Sequence, residues 1–376
     1  MSKLLPDSQI VIYGGGIAGA SLAKTLSRSF HVTLVDPNDY FEVPMAAPRS
    51  LVKPEFAERA IIPFADALPR VKHIRGSLVE MRQEGGLVEL LDAQRQVVRG
   101  QVTVLATGSA FSNPLMRSID GATASERKAF YSSYQQRIHA SKRILIVGGG
   151  PIGVEVAGEI SENHSDKSIT ILEGGPRLLA GTSKAAAEHA AKVLQKNGVQ
   201  ILLNERLQRA EGASSDVFAP AGEALTEKGR RIPYDLLIWC VGGKPNTGYM
   251  KPRFASTLNS AGRIRVGSDL RVIGMDRVFA LGDITDLDEN KMAWHIAAQV
   301  KNASHNIRAV LANASQPRGL KTHKPQTGNP MMAITLGSRN GVLHLPVVGV
   351  VRSPAFSRMA KASHMLVPKY RKILGV

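Results

Sequence analysis

The chain has 376 residues and a formal net charge of +17, with 43% apolar, 21% charged and 5% aromatic residues. Its length exceeds what one hydrophobic core ordinarily serves, so two or three domains are expected and a lone small binding module is excluded. A single cysteine excludes an internal disulfide, a cysteine-rich zinc site and a dithiol redox centre, and no apolar stretch reaches the roughly eighteen residues of a membrane span.

The first residues run into a strand-like stretch without a signal-peptide core, and position 2 is Ser2 rather than the glycine that myristoylation needs, so a cytoplasmic address is the expectation. Residues 10–13 read as a strand, residues 20–26 as a helix and residues 31–35 as a second strand ending at Asp36, which makes a β-α-β unit. Gly14, Gly16 and Gly19 sit at G-x-G-x-x-G spacing where the first strand meets the helix. Gly14 permits the tight turn, Gly16 lets backbone approach a pyrophosphate, and Gly19 allows close helix-to-strand packing, while the helix N-terminus stabilises phosphate charge. Asp36 is placed to accept hydrogen bonds from an adenosine ribose.

Residues 102–105 form another strand-like run, which stops at Ala106-Thr107-Gly108. The β-α-β pattern then returns: a strand at 143–147, the turn glycines Gly148, Gly150 and Gly153, a helix over about 154–161, and a strand at 168–172 ending in Glu173. Two such units predict two nucleotide-binding domains rather than a short-period solenoid. Glu173 favours a free 2′-hydroxyl and hence NADH, whereas Arg177 nearby leaves a 2′-phosphate, and so NADPH, open. Glu155 and Glu159 lie one helical turn apart; Glu155, just past the glycine turn, is placed to reach a nicotinamide carboxamide, although carboxylates near a helix N-terminus also serve as solvated or capping groups.

A strand at 236–241 ends at Gly242 and closes the second unit, and residues 277–281 form a further strand ending in Gly282-Asp283. A helix follows over about 292–310. After Pro317 the texture changes to short β-like runs, prolines and basic residues, and residues 290–376 hold thirteen Lys or Arg with no Asp or Glu. Such a field attracts anionic ligands, lipid surfaces or nucleic acid, but does not specify a fold. The ten histidines show no paired metal-ligand spacing and no serine sits in G-x-S-x-G, so neither metal nor acyl-enzyme chemistry is indicated.

The two glycine motifs, Ala106-Thr107-Gly108 and Ala280-Leu281-Gly282-Asp283 resemble the two-dinucleotide-binding flavoproteins of the pyridine nucleotide-disulfide oxidoreductase superfamily. The segments VDPNDYFEVPMAAPRSLV, LIVGGGPIGVEVAGEI, FALGDITD and KMAWHIAAQVKNASHNI are most similar to its apoptosis-inducing-factor-like group, which includes ferroptosis suppressor-type reductases and plant relatives. The resemblance implies FAD in the first unit, with Asp36 on its ribose, Asp283 on the ribitol chain, and the helix start at Met292 and Ala293 facing the flavin pyrimidine edge, where helix N-terminal amides stabilise charge on a reduced flavin. It implies NAD(P)H in the second unit, with Gly242, Pro245 and Asn246 closing its sheet. Asp36 departs from the family's commoner glutamate.

The parent superfamily's redox disulfide is missing: residues 43–51 contain no cysteine, and Cys240 lies in the apolar run LLIWCV, where an inert core thiol is expected. Electrons therefore leave the flavin directly, and a disulfide-reductase role is excluded. Arg49 and Lys291 are placed by the resemblance to stabilise a reduced flavin, and Trp294 and His295 to line an acceptor site; solvated or packed roles suit the same residues. A quinone-type acceptor is the first expectation. A small soluble oxidant of the monodehydroascorbate-radical kind, or a redox-sensing, interaction or nucleic-acid-binding flavoprotein with weak turnover, are the alternatives. Phe356, Met359, Ala360, Leu366 and Val367 beside Arg358, Lys361, Lys369, Arg371 and Lys372 suit a peripheral membrane contact or, without the lipid, a solvated cap. Nucleic-acid binding, lacking any recognition motif, would be non-specific and salt-dependent.

The sequence thus predicts an α/β protein: two Rossmann-like dinucleotide-binding domains, for FAD (residues 1–112 and 250–316) and for NAD(P)H (residues 113–249), plus a small basic C-terminal α+β domain (residues 317–376).

Overall fold

The computed structural model describes residues 9–111, 115, 122–208, 221–313, 317–327, 331–345 and 348–376; the expected boundaries at 112 and 316 lie outside them. In chain order the architecture is carried by β1 (Gln9–Tyr13), α1 (Ile17–Leu26), β2 (His31–Val35), β3 (Val71–Ile74), β4 (Val102–Leu105), α2 (Ala124–Ala140), β5 (Arg143–Val147), α3 (Pro151–Asn163), β6 (Ser168–Glu173) and α4 (Lys184–Lys196). There follow β7 (Gln200–Leu203), β8 (Leu236–Trp239), β9 (Val278–Ala280), α5 (Ala293–Ala312), β10 (Met332–Leu336), β11 (Asn340–Leu345), β12 (Gly349–Val351) and α6 (Val367–Leu374).

Strands that are apolar at nearly every position must be covered on both faces, which is the condition of a parallel sheet with helical crossovers. Two such sheets form. The first runs β9-β4-β1-β2-β3 and the second β7-β6-β5-β8, all pairs parallel. In both, the glycine turn follows the strand that is flanked on either side, β1 or β5, so each turn opens at the carboxyl edge where the crossovers diverge. A three-stranded antiparallel sheet (Gly76–Arg82, Gly85–Leu90 and Arg95–Val98) covers the first unit: Tyr13 donates its hydroxyl to Val98 O at 2.9 Å and accepts from Gly86 N at 3.0 Å.

The chain passes between the units through two adjacent short strands, Ser109–Ala110 and Lys244–Pro245, paired antiparallel. Asn246 N donates to Gly108 O, and the Thr107 hydroxyl contacts both Asn246 O and the Tyr249 hydroxyl. Pro245 and Asn246 therefore belong to this crossing, β8 alone closes the second sheet and Gly242 lies beyond its end on the cavity wall, which corrects the expectation that all three close the sheet.

Two regions depart from the expected division. Helix α2, counted with the second unit, bridges the two: Tyr131, Tyr134 and Ile138 join the second core with Ile144, Ile146 and Val154, while buried Arg127 pairs with Glu42 of the first at 2.9 Å and Tyr131 donates to the same carboxylate. The tail does not stand apart as a small domain. Its antiparallel sheet β10-β11-β12 packs on α3 and joins the second core through Met332, Ile334, Leu336 and Val342. Helix α6 lies against α1, and Val367, Tyr370 and Leu374 join the first core. The expected apolar stripe is split accordingly: Val367 is buried and Leu366 half-buried, while Phe356 and Met359 are 40% and 68% exposed.

Candidate dinucleotide-binding sites

The first turn is shaped by glycine where the backbone demands it. Gly14 has φ +101°, and a Cβ there would stand 2.3 Å from Ala106 O; a Cβ on Gly19 would stand 1.8 Å from Gly14 O. Helix α1 then starts at Gly16 with no side-chain cap and no acid in its first turn, leaving N-terminal amides for an anion. Buried Asp36, at the end of β2, accepts from Gly15 N at 2.5 Å and from Asn38 N at 3.0 Å, which fixes the carboxylate at the mouth of the turn. A cavity of about 270 Å³ opens there, lined by Gly14, Asp36, Ser77, Thr107, Ser109 and Asn246 among others. Thr107 and Gly108 stand where β4 gives way to the crossing, and Ala106 N is tied to Tyr13 O at 2.8 Å.

Gly282 and Asp283 follow β9. Gly282 has φ +79°, and its amide donates to the side chain of Gln299 at 2.7 Å, so α5 anchors this turn from below. The Asp283 carboxylate accepts from the Ser109 hydroxyl at 2.8 Å; burial pushes its pKa up, against the pull of that bond, Arg263 and Lys291. Arg263 also donates to Asp283 O. Met292 is the N-cap of α5 and Ala293 its first residue, again with no side-chain cap and no acid in the first turn. Half-buried Lys291 donates to Leu287 O at 2.7 Å, and burial, then the neighbouring Arg263, lowers its pKa against the pull of Glu289, Asp283 and Asp286.

The second turn repeats the first. Gly148 has φ +110°, and a Cβ on Gly153 would stand 1.9 Å from Gly148 O. A Cβ on Gly150, by contrast, would meet nothing within 4 Å, although its φ of −71° suits any residue. Space next to an uncapped helix N-terminus is what a pyrophosphate needs, so the residues present fit a dinucleotide here. Glu173 accepts from Gly149 N and from Gly175 N, both at 2.6 Å. The cavity above is about 790 Å³ and is lined by Gly148, Glu173, Trp239 and Gly242, and also by Glu205, Arg206 and Lys244, which sequence reading did not single out. Arg206 lies against Gly174, where a Cβ would meet its side chain at 2.8 Å; Arg177 instead donates to Ala180 O and does not line the cavity.

Two expectations are corrected by geometry. Arg49 does not stand free for a flavin: its guanidinium is buried, bidentate on Glu159 at 2.6 and 3.1 Å, and donates to Ala362 O. Burial pushes the Glu159 carboxyl up, against the pull of Arg49. Glu155 is neither solvated nor capping. Its Oε1 accepts from Lys361 Nζ at 2.5 Å and from the amide and hydroxyl of Thr335. Lys361 itself is buried and also donates to Ala333 O. Glu162, one turn beyond, accepts from Ser338 N at 2.8 Å. One face of α3 thus presents three carboxylates to residues from 49 and 333 onwards. Three acids on an otherwise apolar helix are the sequence signal for Lys361, since the acid-free tail holds many unmatched cations.

Trp294 is 48% exposed with Lys369 5.3 Å above its ring, while His295 is buried 3.7 Å from Glu289. Cys240 is buried beneath the second turn, its thiol pushed up to about 12 by burial.

Residues 8–305 match the model of the pyridine nucleotide-disulphide oxidoreductase family. The chain is 29% identical over 377 residues to apoptosis-inducing factor homolog B of Dictyostelium discoideum, covering 96% of this chain and 95% of that protein. It is 30% identical over 346 residues to ferroptosis suppressor protein 1 of Homo sapiens, covering 89% and 87%. The solved structure of NDH2 from Plasmodium falciparum in complex with NADH has the same fold, with a TM-score of 0.70 at 16% identity over 94% of this chain and 93% of that one. With its two glycine turns, two parallel sheets and uncapped helix starts, the chain belongs to the pyridine nucleotide-disulphide oxidoreductase family, a flavin-dependent NAD(P)H oxidoreductase fold whose cofactors are FAD and NAD(P)H.

Proposed function

We propose that this protein is an NAD(P)H:quinone-type reductase that works without a redox disulfide. The observation that carries the reading is the thiol inventory: the one cysteine is buried, protonated and walled by the second turn, so no sulfur stands ready to relay electrons. When bound, the flavin supplies the hydride-accepting and electron-donating chemistry. The chain's own part is positioning. Gly14, Gly16, Gly19 and Asp36 hold the FAD pyrophosphate and ribose; Ala106, Thr107 and Gly108 wall the same cleft; Gly282 and Asp283 take the ribitol side; and the amides at Met292 and Ala293 offset charge at the pyrimidine edge, with Lys291 close by. Gly148, Gly150, Gly153, Glu173 and Gly242 hold NAD(P)H.

Glu173, fixed by two backbone amides at the strand end, is a ready acceptor for a ribose 2′-hydroxyl, and NADH is the favoured donor. Glu155, buried and held by Thr335 and Lys361, ties α3 to the C-terminal residues and is given no part in meeting the nicotinamide. An acceptor of planar, apolar quinone type follows from the family resemblance. The exposed Phe356 and Met359, flanked by Arg352 and Arg358, form a peripheral contact with the lipid in which such acceptors dissolve.

The test is direct. Purified protein carries a flavin spectrum that bleaches when NADH is added without oxygen and recovers on adding a soluble quinone. Turnover below about 0.1 per second with every quinone tried, far under ordinary enzyme rates, refutes the quinone reading. A colourless protein that stays so after reconstitution refutes the flavin assignment itself.

A further inference from the structure

Helix α1 begins at the FAD turn, and its other end, about 15 Å away at 1.5 Å per residue, carries a second group of charges that the reductase reading does not use. Lys24, Arg28 and Arg70 line a cleft of about 250 Å³ together with Ser27, Leu68 and Pro69, and no carboxylate lines it. Among the described residues none of the three cations is in an ion pair, and the guanidinium groups of Arg28 and Arg70 make no hydrogen bond. Lys24 spends one donor on Ala67 O at 2.7 Å.

A helix C-terminus is served by one nearby cation, and Lys24 in the last turn of α1 supplies it. Arg28 and Arg70 exceed that need. Partial burial, and after it the charges of Arg28 and Arg70, pull the Lys24 pKa down, and no carboxylate lines the cleft to offset the three cations. Arg28 and Arg70 are exposed, so the repulsion costs the protein little by itself, but the cluster leaves a local positive field that an entering anion would offset.

We propose that this cleft is a binding site for a phosphate group, separate from both dinucleotide sites. Two guanidinium forks and an ammonium give directional donors to three or four oxygens of a dianion, which a monovalent carboxylate does not need, and the Ser27 hydroxyl stands at the rim. The volume admits a phosphate and the first atoms of whatever bears it, with Leu68 and Pro69 as the apolar wall for that carrier. The carrier is either a soluble phosphomonoester or a phosphorylated lipid headgroup; the recognising chemistry is the same.

The experiment uses the full-length, flavin-loaded protein and does not depend on turnover. Inorganic phosphate is titrated calorimetrically, and binding to phosphatidylcholine vesicles containing phosphatidylinositol 4-phosphate is compared with vesicles carrying the same charge as phosphatidylserine. The probes are repeated on an Arg28→Ala/Arg70→Ala variant and on Lys24→Met, with an unchanged flavin spectrum showing that each is folded. Saturable phosphate binding that weakens at least about tenfold in the double variant supports the site. Phosphoinositide selectivity over phosphatidylserine, lost in the same variant, supports it with the lipid as source. No saturable phosphate binding below about 10 mM together with no headgroup selectivity overturns the proposal, as does binding that the substitutions leave unchanged.

Discussion

The second glycine turn separates two roles of glycine that sequence alone merges, and a pair of single substitutions measures the separation. In Gly150→Ala the backbone already has φ −71° and ψ −177°, which alanine accepts, and the added methyl meets no protein atom within 4 Å. The fold should lose only about 1 kcal/mol, the cost of alanine at an N-cap. The methyl does, however, project into the space beside the uncapped amides of α3. Displacing a pyrophosphate from one of them forfeits a charge-assisted hydrogen bond of about 1.5–3 kcal/mol, or roughly a 10- to 150-fold rise in the NADH dissociation constant. In Gly153→Ala the methyl would lie 1.9 Å from Gly148 O and 3.3 Å from the Cys240 side chain, so α3 must lift off β5, and overpacking of this kind costs about 1–3 kcal/mol or more. Thermal unfolding reports the fold, and the NADH dependence of anaerobic flavin bleaching reports binding. The reasoning fails if Gly150→Ala binds NADH within twofold of the parent, or if Gly153→Ala unfolds at the parent temperature.

Four further outcomes are expected. Arg49→Met leaves the fully buried Glu159 without its partner and should cost about 3–5 kcal/mol in urea unfolding, whereas Arg49→Met/Glu159→Leu should recover most of it; an unaffected single variant would show that the pair holds nothing. Because burial already raises the Glu159 pKa, the lone variant should gain stability as pH falls below neutral, since its folded state takes up a proton before the unfolded chain does; a flat profile contradicts this. Cys240, at about 12, should resist iodoacetamide in the native protein at pH 9 yet react once unfolded, and Cys240→Ala should retain NADH-dependent turnover; rapid native alkylation would reopen a thiol relay. Replacing Gly16 by valine should abolish FAD retention, read from absorbance of the purified protein, and normal flavin content would remove the first turn from the cofactor site.

What was legible in the chain was whatever a short stretch decides for itself. A strand of buried apolar residues, a glycine that must take positive φ and a carboxylate at the next strand's end are fixed within about thirty residues, so both turns are legible in the sequence. Helix α2 escaped because its buried stripe, Arg127, Tyr131, Tyr134 and Ile138, keeps helical spacing but is built from a cation and two phenols rather than aliphatics. Arg49 and Glu155 were read as cofactor-facing because their real partners, Glu159 and Lys361, lie 110 and 206 residues away, and no local pattern encodes contacts of that separation. The tail looked like a module since its composition changes abruptly, yet its sheet and its last helix are shared between the two cores.

The acidic face of α3 has a practical corollary. Shortening the chain ahead of β10 would not trim an accessory piece; it would strip Thr335, Ser338 and Lys361 from Glu155 and Glu162, and take from Arg49 its Ala362 acceptor. A truncated product would therefore carry a raw, negatively charged seam along the very helix that starts at the second glycine turn, and should be recovered as insoluble material rather than as a smaller working protein. The C-terminal residues act less as an appendage than as a keel that sets both halves of the molecule on one line.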